Sequence, residues 1–217
     1  MEVKSWSKDD HFRHYLYEAI YDALIKHPWQ NRQYDVLDFG SEWFGDPDGG
    51  WQTNMRWMFK DILGSRLNHI LGVYPKYDVE VLAPCGDASL DVVVADQVLE
   101  HVQRPWVAAD QIHRVLKPGG VAVIATPGLY PIHPSPLDCW RIMPDGYKVL
   151  FPQEKWITME LGMWGNAKRV GFEFGQNDKL VTGGPTYSVE EAMGQPHFTD
   201  PTDNLCPIQV WWVGRKK

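Results

Sequence analysis

Two histidines stand at places in the sequence where a general base could act. His101 follows the apolar run Leu90–Asp96 (LDVVVAD), and His133 lies in the proline-rich stretch from Pro127 to Pro136. An imidazole changes its charge near neutral pH, so either ring could accept a proton from a reacting group. Because prolines restrict the backbone, we expect His133 to be held at a fixed position. Glu100 is interpreted either as a structural hydrogen-bond acceptor or as a functional carboxylate.

A polar and aromatic cluster follows His133 and consists of Asp138, Trp140 and Arg141. A guanidinium can hold a carboxylate or phosphate through two parallel hydrogen bonds, so we predict that this cluster binds a substrate. The alternative is that Asp138 and Arg141 pair with each other and order the loop. Cys139 is one of three widely spaced cysteines, which predict neither a disulfide framework nor a metal site.

The stretch Tyr34–Gly50 (YDVLDFGSEWFGDPDGG) begins as a short apolar strand that ends at a glycine. Asp38 stands at the strand end, where its carboxylate either caps the turn or binds the amine of a cofactor. The loop carries several acids, and the sequence contains no Lys or Arg between Gly40 and Arg56. A phosphate group would be repelled by such a loop, whereas a cationic ligand would be tolerated.

Strand and helix patterns alternate along the first two thirds of the chain. Apolar runs predict buried strands, and three-to-four spacing of apolar residues predicts helices. The predicted strands are Tyr34–Phe39, His69–Tyr74, Asp78–Leu82, Leu90–Asp96 and Val121–Ala125, and the predicted helices are His11–His27, Trp51–Leu63, Trp106–Leu116 and one that begins near Pro144. Helical connections of this length favour parallel strand pairing, so we predict an α/β fold with a doubly wound, Rossmann-like sheet.

The last third of the chain has a different composition. Arg169–Phe174 and Ile208–Val213 are predicted to be strands, and a short helix is predicted at Ser188–Met193. We predict that the Gly/Pro/Asp-rich segment 177–205 forms a lid or substrate loop, because connections of that length are usually functional or mobile. Residues 1–217 are predicted to form one domain, in which residues 1–30 supply a covering helix.

Composition excludes several classes of protein. The net charge is −7 and the basic residues are scattered, which argues against binding to nucleic acid. The sequence contains neither a signal-peptide pattern nor an apolar run that could cross a membrane, so we expect a cytoplasmic protein without membrane partners. Eleven tryptophans are present. They are interpreted as core and rim packing or as the lining of a pocket.

The run Leu90–Pro127, with DQVLEHV and RVLKPGG, resembles class I S-adenosylmethionine-dependent methyltransferases of the small type 11-like branch. The stretch Ile132–Phe151 resembles the segment that follows in one branch of these enzymes. The resemblance implies a seven-stranded sheet with an antiparallel last strand, and S-adenosyl-L-methionine as the cofactor. Only Gly40 matches the glycine-rich turn that the family carries after its first strand, so the glycine loop is degenerate.

The resemblance also implies a set of residues around the cofactor. Tyr74 occupies the position at which the family carries an acid for the ribose hydroxyls, and Asp78 could reach the ribose instead. Glu80 occupies the position of the acid that contacts the adenine amine. In an open parallel sheet the crevice lies where the strand order reverses, beside the first strand and the strand Leu90–Asp96. The predicted cofactor-binding residues are Asp38, Gly40, Ser41, Glu42, Tyr74, Glu80, Asp96 and Gln97.

We therefore predict a methyltransferase that acts on an oxygen or nitrogen of a small-molecule or saccharide-like compound. In-line positioning supplies most of the rate in such chemistry, so a strong catalytic constellation is not required. The first alternative is a binding or scaffold protein that kept the fold and lost the cofactor, as the bulky side chains after Gly40 suggest. The second is a nicotinamide oxidoreductase, which the acidic loop and the missing Gly-x-Gly-x-x-Gly pattern disfavour.

Overall fold

The computed structural model describes residues 14–39, 54–132, 137–165 and 206–217. In these ranges the chain forms four α-helices and six β-strands. The helices are α1 (His14–Ile25), α2 (Asn54–Leu63), α3 (Pro105–Val115) and α4 (Pro144–Leu150), and the strands are β1 (Tyr34–Phe39), β2 (Leu67–Gly72), β3 (Leu90–Asp96), β4 (Leu116–Pro127), β5 (Trp156–Trp164) and β6 (Gln209–Lys216). None of the described helices has the length and apolar character needed to cross a membrane.

The six strands form one sheet in the order β2-β1-β3-β4-β6-β5. The first four strands are parallel, and β6 runs antiparallel to both of its neighbours. Connections through α2 and α3 return the chain to the same sheet edge, which is what parallel pairing requires. The predicted doubly wound α/β fold with an antiparallel last strand is confirmed. The described part of the sheet has six strands, where seven were predicted.

Both faces of the sheet are covered by helices. Every residue of β3 is buried, as expected for a central strand that is apolar on both sides. Val93 and Ala95 pack in the cluster that contains residues of α3 and α4. Val92 and Val94 pack in the cluster that contains residues of α1 and α2. Alternate residues of each strand therefore belong to the α1/α2 face or to the α3/α4 face.

Tryptophans near the β5 edge of the sheet form part of the core. Trp212 stacks on Phe151 with ring centroids 4.2 Å apart, and Trp156 meets Trp212 edge to face at 5.2 Å. Gly162 lies under a further tryptophan of β6, because a Cβ atom at this position would overlap the Trp211 ring. The packing interpretation of the tryptophans is confirmed for these three rings.

Turn residues end α3 and start β4. The helix stops at Val115, and Gly119 in the following Lys-Pro-Gly-Gly sequence has a φ of 79°. A left-handed residue of this kind is unfavourable for most side chains but not for glycine. The predicted end of this helix and the predicted strand after it are both confirmed.

Two parts of the strand prediction were wrong. Residues 78–82 form turns and not a strand, because the Asp78 carboxylate accepts the backbone N–H of Glu80 at 2.8 Å and Leu82 has a φ of 47°. The strand β5 was not predicted, since it carries Glu160 and Gly162 and lies at an edge of the sheet. The predictions for Arg169–Phe174, Ser188–Met193 and 177–205 lie outside the described residues.

Candidate functional site

The strand order reverses between β1 and β3. The chain continues from β1 to β2 on one side of the sheet and from β3 to β4 on the other, while β1 and β3 pair in parallel. At such a point the connections leave in opposite directions and open a crevice at the carboxyl ends of the strands. Asp38 pairs in register with Val94, so Asp96 lies two residues farther along at the same edge.

Buried polar side chains concentrate at this carboxyl edge. The set consists of Asp38, Asp96, Glu100, Thr126 and Gln209, whereas Asp91 is the buried polar residue at the amino end of β3. Gln209 belongs to this edge because β6 is antiparallel and its first residue pairs with Pro127, the last residue of β4. Burial of polar groups is unfavourable unless they are hydrogen-bonded, so their grouping at the reversal point indicates a functional edge.

Asp38 lies on the α1/α2 face at the end of β1 and is 1% exposed. The Oδ2 atom of Asp38 lies 3.0 Å from Nε2 of His69, which comes from the neighbouring strand β2. The His69 ring therefore fixes the orientation of the Asp38 carboxylate from the neighbouring strand. His69 was not among the predicted site residues. Its role was hidden in the sequence, because a histidine in an edge strand has no motif of its own.

Asp96 ends β3 on the same face and is 6% exposed. The Tyr17 hydroxyl on α1 donates to Oδ2 of Asp96 at 2.9 Å, and the Gln97 side-chain amide donates to Oδ1 at 3.3 Å. Both donors are neutral groups. Among the described residues, no Lys, Arg or His forms an ion pair with Asp96. Within the described part of the chain, the Asp96 carboxylate therefore has neutral hydrogen-bond donors and no cationic partner at the point where the crevice opens.

Gln97 turns the chain out of the sheet with a φ of 56°, which places it in the left-handed region. The backbone N–H of Gln97 donates to the carbonyl oxygen of Ala125 at 2.9 Å. The side-chain Nε2 of Gln97 also donates to Oε1 of Gln209 at 2.9 Å. One amide group therefore joins Asp96 of β3 to Gln209 of β6 across the end of β4.

A second polar contact lies on the α3/α4 face of the same edge. The hydroxyl groups of Thr126 and Tyr147 lie 2.9 Å apart, and the Tyr147 hydroxyl lies 3.3 Å from the carbonyl oxygen of Val210. Burial raises the pKa of Tyr147 above its ordinary value. The phenol therefore stays protonated and fixes α4 against the ends of β4 and β6.

The DQVLEHV motif ends in a short 3-10 helix, Leu99–His101, in which Glu100 is fully buried. The Glu100 carbonyl accepts the backbone N–H groups of Cys139 at 2.7 Å and Trp140 at 3.2 Å. The Nδ1 atom of His101 is hydrogen-bonded to the Leu137 carbonyl. The Nε2 atom of His101 lies 3.8 Å from Oε1 of Glu100.

The predicted cluster of Asp138, Trp140 and Arg141 is assembled mainly by contacts within its own loop. The Arg141 guanidinium forms a bidentate pair with Asp138, and this hydrogen bonding raises the pKa of Arg141. It also donates to the carbonyl oxygens of Trp140 at 2.8 Å, Pro131 at 3.1 Å and Tyr130 at 3.2 Å. These contacts favour the interpretation that Asp138 and Arg141 order the loop.

The Trp140 indole is anchored separately from that pair. Its Nε1 donates to the Val102 carbonyl at 2.9 Å, and its ring meets the ring of Trp106 edge to face at a centroid distance of 6.0 Å. Both indoles are partly exposed, Trp140 at 37% and Trp106 at 52%. The two rings therefore present an aromatic surface at the start of α3.

The residues predicted around the adenosine part of the cofactor lie in the turns after β2. Tyr74 is two residues beyond the end of β2 and is 76% exposed. The Glu80 carboxylate lies 3.0 Å from Nε of Arg104. In the described structure, Glu80 is therefore paired with a cation of the segment before α3. The predicted residues Gly40, Ser41, Glu42 and His133 lie outside the described residues.

Known proteins match the central part of this chain. The model of the methyltransferase domain family matches residues 65–124. A Mycolicibacterium smegmatis protein named as an S-adenosylmethionine-dependent methyltransferase is 37% identical over 71 residues, which are 31% of this chain and 28% of that protein. An uncharacterized methyltransferase of Mycolicibacterium vanbaalenii is 45% identical over 42 residues, 19% of this chain and 16% of that protein.

The predicted resemblance to S-adenosylmethionine-dependent methyltransferases is confirmed. S-adenosyl-L-methionine is the cofactor that this resemblance implies. The aligned part of the chain spans less than a third of the length of these curated relatives. The matched residues include β3, α3 and most of β4, and therefore the edge at which Asp96 and Gln97 lie.

Solved structures extend the likeness in fold to most of the chain. A Galdieria sulphuraria protein named as a sarcosine dimethylglycine methyltransferase superposes with a TM-score of 0.55 at 14% identity, covering 93% of this chain and 85% of its own. A Haloferax volcanii methyltransferase, solved in a complex with the Trm112 methyltransferase activator, gives a TM-score of 0.52 at 16% identity, covering 94% of this chain and 91% of its own. At these identities the likeness concerns the fold alone.

Proposed function

We propose that this protein is an S-adenosylmethionine-dependent methyltransferase that acts on an oxygen or nitrogen of a small-molecule or saccharide-like compound. The observation that carries the proposal is the Asp96 carboxylate, which is 6% exposed and hydrogen-bonded only to neutral groups among the described residues. It lies beside the reversal of strand order, where open α/β sheets bind their ligands. A cationic ligand at this edge would supply the missing positive charge.

The charges of the edge suit this cofactor better than a nucleotide. S-adenosylmethionine carries a sulfonium and an ammonium group and has no phosphate. Asp38 and Asp96 bring two buried carboxylates to the same face of neighbouring strands. Such a pair attracts a cation and repels a phosphate group. His69 and Tyr17 hold the two carboxylates by hydrogen bonds, so the edge is organised before a ligand arrives.

In the proposed reaction, bound S-adenosylmethionine supplies an electrophilic methyl group. The residues of this chain orient the ligands and remove a proton from the nucleophile. His101 is a candidate base, since an imidazole can accept a proton and the hydrogen bond between its Nδ1 and the Leu137 carbonyl fixes the ring beside the carboxyl edge. His133 stays a second predicted base. A base of this kind contributes roughly 10²- to 10⁴-fold to a rate, and the remainder comes from positioning.

Calorimetric titration of the full chain with S-adenosylmethionine and with S-adenosylhomocysteine tests the first half of the proposal. We expect both ligands to bind with a stoichiometry of one. Transfer of a labelled methyl group to panels of small hydroxylated, amino and saccharide compounds then tests the second half. Heat from neither ligand at millimolar concentration would support the scaffold alternative. If both ligands bind but no compound of any panel is methylated, the cofactor assignment stands and the proposed class of methyl acceptor is wrong.

The variant Arg141→Ala separates the two hypotheses for the loop. The five contacts of the guanidinium predict that its loss lowers the melting temperature and weakens both ligands, since the loop that carries Trp140 is released. Differential scanning calorimetry and binding titrations measure these effects. A variant that melts like the wild type, binds the cofactor normally and loses only turnover would instead show that Arg141 binds the methyl acceptor.

A further inference from the structure

The end of β3 is held by two side chains from distant parts of the chain. We propose that Tyr17 and Gln209 are positioning residues, which fix the Asp96 carboxylate as the contact for the ammonium group of S-adenosylmethionine. This inference rests on the proposed function and extends it to one group of the ligand. It assigns a role to α1 and to the start of β6, neither of which lies in the segment that matches the methyltransferase domain family.

Three elements meet at the carboxylate. Asp96 and Gln209 both lie on the α1/α2 face, on either side of the end of β4, and Gln97 bridges them with its amide. Tyr17 approaches from α1 and donates to Oδ2 of Asp96 at 2.9 Å. The side chains of Tyr17 and Gln209 are 2% and 1% exposed, so their packing fixes both positions. The donors Tyr17 and Gln97 therefore fix the orientation of the Asp96 carboxylate from two sides.

The donors orient the carboxylate without neutralising it. An ionised carboxylate offers about four lone-pair directions for hydrogen bonds, and Tyr17 and Gln97 use two of them. A buried anion that receives only neutral donors remains unfavourably desolvated. An ammonium group can supply both the charge and further N–H donors. A sulfonium has no hydrogen to donate, so the ammonium group is the better match for the remaining directions.

The conformation of Gln97 depends on the same contacts. A residue other than glycine is strained at a φ of 56°, because its Cβ crowds the backbone. The bond from its backbone N–H to Ala125 and the bond from its side chain to Gln209 hold this conformation. Loss of the Gln209 oxygen would release the Gln97 amide. Asp96 would then lose the donor that fixes Oδ1.

The test compares three ligands that differ in the amino-acid part. S-adenosylmethionine and S-adenosylhomocysteine carry the ammonium group, and 5′-methylthioadenosine lacks it. Affinities are measured by calorimetry for the wild type, Tyr17→Phe and Gln209→Met. We expect each variant to bind the first two ligands about 5- to 10-fold more weakly, as the loss of one hydrogen bond at the site implies, and to bind 5′-methylthioadenosine with unchanged affinity.

Two matched controls separate positioning from stability. Tyr21→Phe removes a hydroxyl one turn along α1, where it donates to Asp61 at 2.6 Å. Tyr147→Phe removes a hydroxyl buried at the same edge but on the α3/α4 face. We expect both controls to bind all three ligands like the wild type. If Tyr17→Phe or Gln209→Met lowers the melting temperature but does not change the preference among the three ligands, the role of that residue is purely structural.

The outcomes distinguish this inference from the proposed function. The positioning role is overturned if Tyr17→Phe and Gln209→Met both lose affinity equally for all three ligands. It is also overturned if neither variant loses affinity for any of them. In both cases the cofactor assignment stands. A wild-type chain that binds none of the three ligands overturns both. The two variants change different elements, so failure of one to fold leaves the other to decide the result.

Discussion

The two ends of β3 carry the same residue in opposite electrostatic situations. At the amino end, Asp91 accepts hydrogen bonds from Arg32 at 2.7 Å, from Lys117 at 2.9 Å and from the backbone N–H of Asp35 at 2.9 Å. At the carboxyl end, Asp96 receives only the neutral donors Tyr17 and Gln97 among the described residues. Both carboxylates are buried, at 3% and 6% exposure.

The difference separates a structural acid from a candidate binding acid. Burial by itself would raise the pKa of Asp91, but the Asp35 backbone N–H, Lys117 and Arg32 together lower that pKa below its ordinary value. The charge of Asp91 is therefore compensated within the protein and joins β1, β3 and β4 at their amino ends. Among the described residues no cation compensates Asp96, which is why we propose that its charge meets a ligand. Burial alone would not have told the two residues apart.

The largest effect on stability is expected for Asp91→Asn. Removal of one partner from a buried ion pair costs about 3 to 5 kcal/mol, and we expect about 3 kcal/mol because Arg32 and Lys117 are partly exposed. Urea denaturation at pH 7 measures the loss, which corresponds to a fall of roughly 6 to 12 °C in Tm. Cofactor affinity should not change. A ligand-binding defect in the folded variant would mean that the two ends of β3 are coupled.

The stability difference between the wild type and Asp91→Asn should depend on pH. A carboxyl group with a lowered pKa in the folded state stabilises the protein above its unfolded-state pKa, and this stabilisation is lost as the pH falls through the folded-state value. The difference should therefore be full at pH 6 to 7 and shrink below about pH 4. Denaturation of the two proteins in parallel from pH 3 to 7 measures it. A constant difference would show that the charge of Asp91 is not its source.

Asp96→Asn should give the opposite pattern. The Asn carbonyl can still accept the Tyr17 hydroxyl, and the substitution removes a charge that no cation of the described residues pairs with. We expect stability equal to or above that of the wild type, and S-adenosylhomocysteine affinity at least about 10-fold lower, which is about 1.4 kcal/mol. Calorimetry of binding and urea denaturation of the same preparations report both quantities. A large loss of stability with normal affinity would reverse the assignment of the two ends.

The smallest effect is expected for Arg32→Gln. Its side chain is 46% exposed, so water screens its pair with Asp91, and such pairs contribute about 0 to 1 kcal/mol. Lys117 and the Asp35 N–H would remain on the carboxylate. The loss should become smaller still at high salt. Denaturation at low and high ionic strength checks this, and a loss as large as that of Asp91→Asn would show that Arg32 alone compensates the acid.

Local sequence patterns predicted most of the described fold. The apolar run Leu90–Asp96 is a strand because continuous hydrophobicity suits a strand buried on both faces, and Pro118, Gly119 and Gly120 exclude a longer helix. The apolar pattern of residues 78–82 predicts a strand, but the Asp78 side chain forms a turn with the backbone and prevents one. The strand β5 was missed because an edge strand does not need a continuous apolar sequence.

The candidate site could be predicted only in part. Asp38, Asp96 and Gln97 were predicted because they follow apolar runs at the reversal point of the sheet, and the structure places all three at that edge. Tyr17, His69 and Gln209 were not predicted. Tyr17 has the spacing of a core residue of an amphipathic helix, and Gln209 begins a strand, so neither residue has a local signal of function.

By itself the sequence determined the class of fold, the resemblance to methyltransferases and the edge of the sheet at which the candidate site lies, since all three depend on neighbouring residues. Only the tertiary structure decided that, among the residues it describes, Asp91 is paired with cations and Asp96 with neutral donors. The Tyr17–Asp96 contact spans 79 residues of sequence and the Gln97–Gln209 contact spans 112. Charge compensation depends on distances in space, and no local pattern records whether the residue that folding places beside a carboxylate is a cation or a neutral donor.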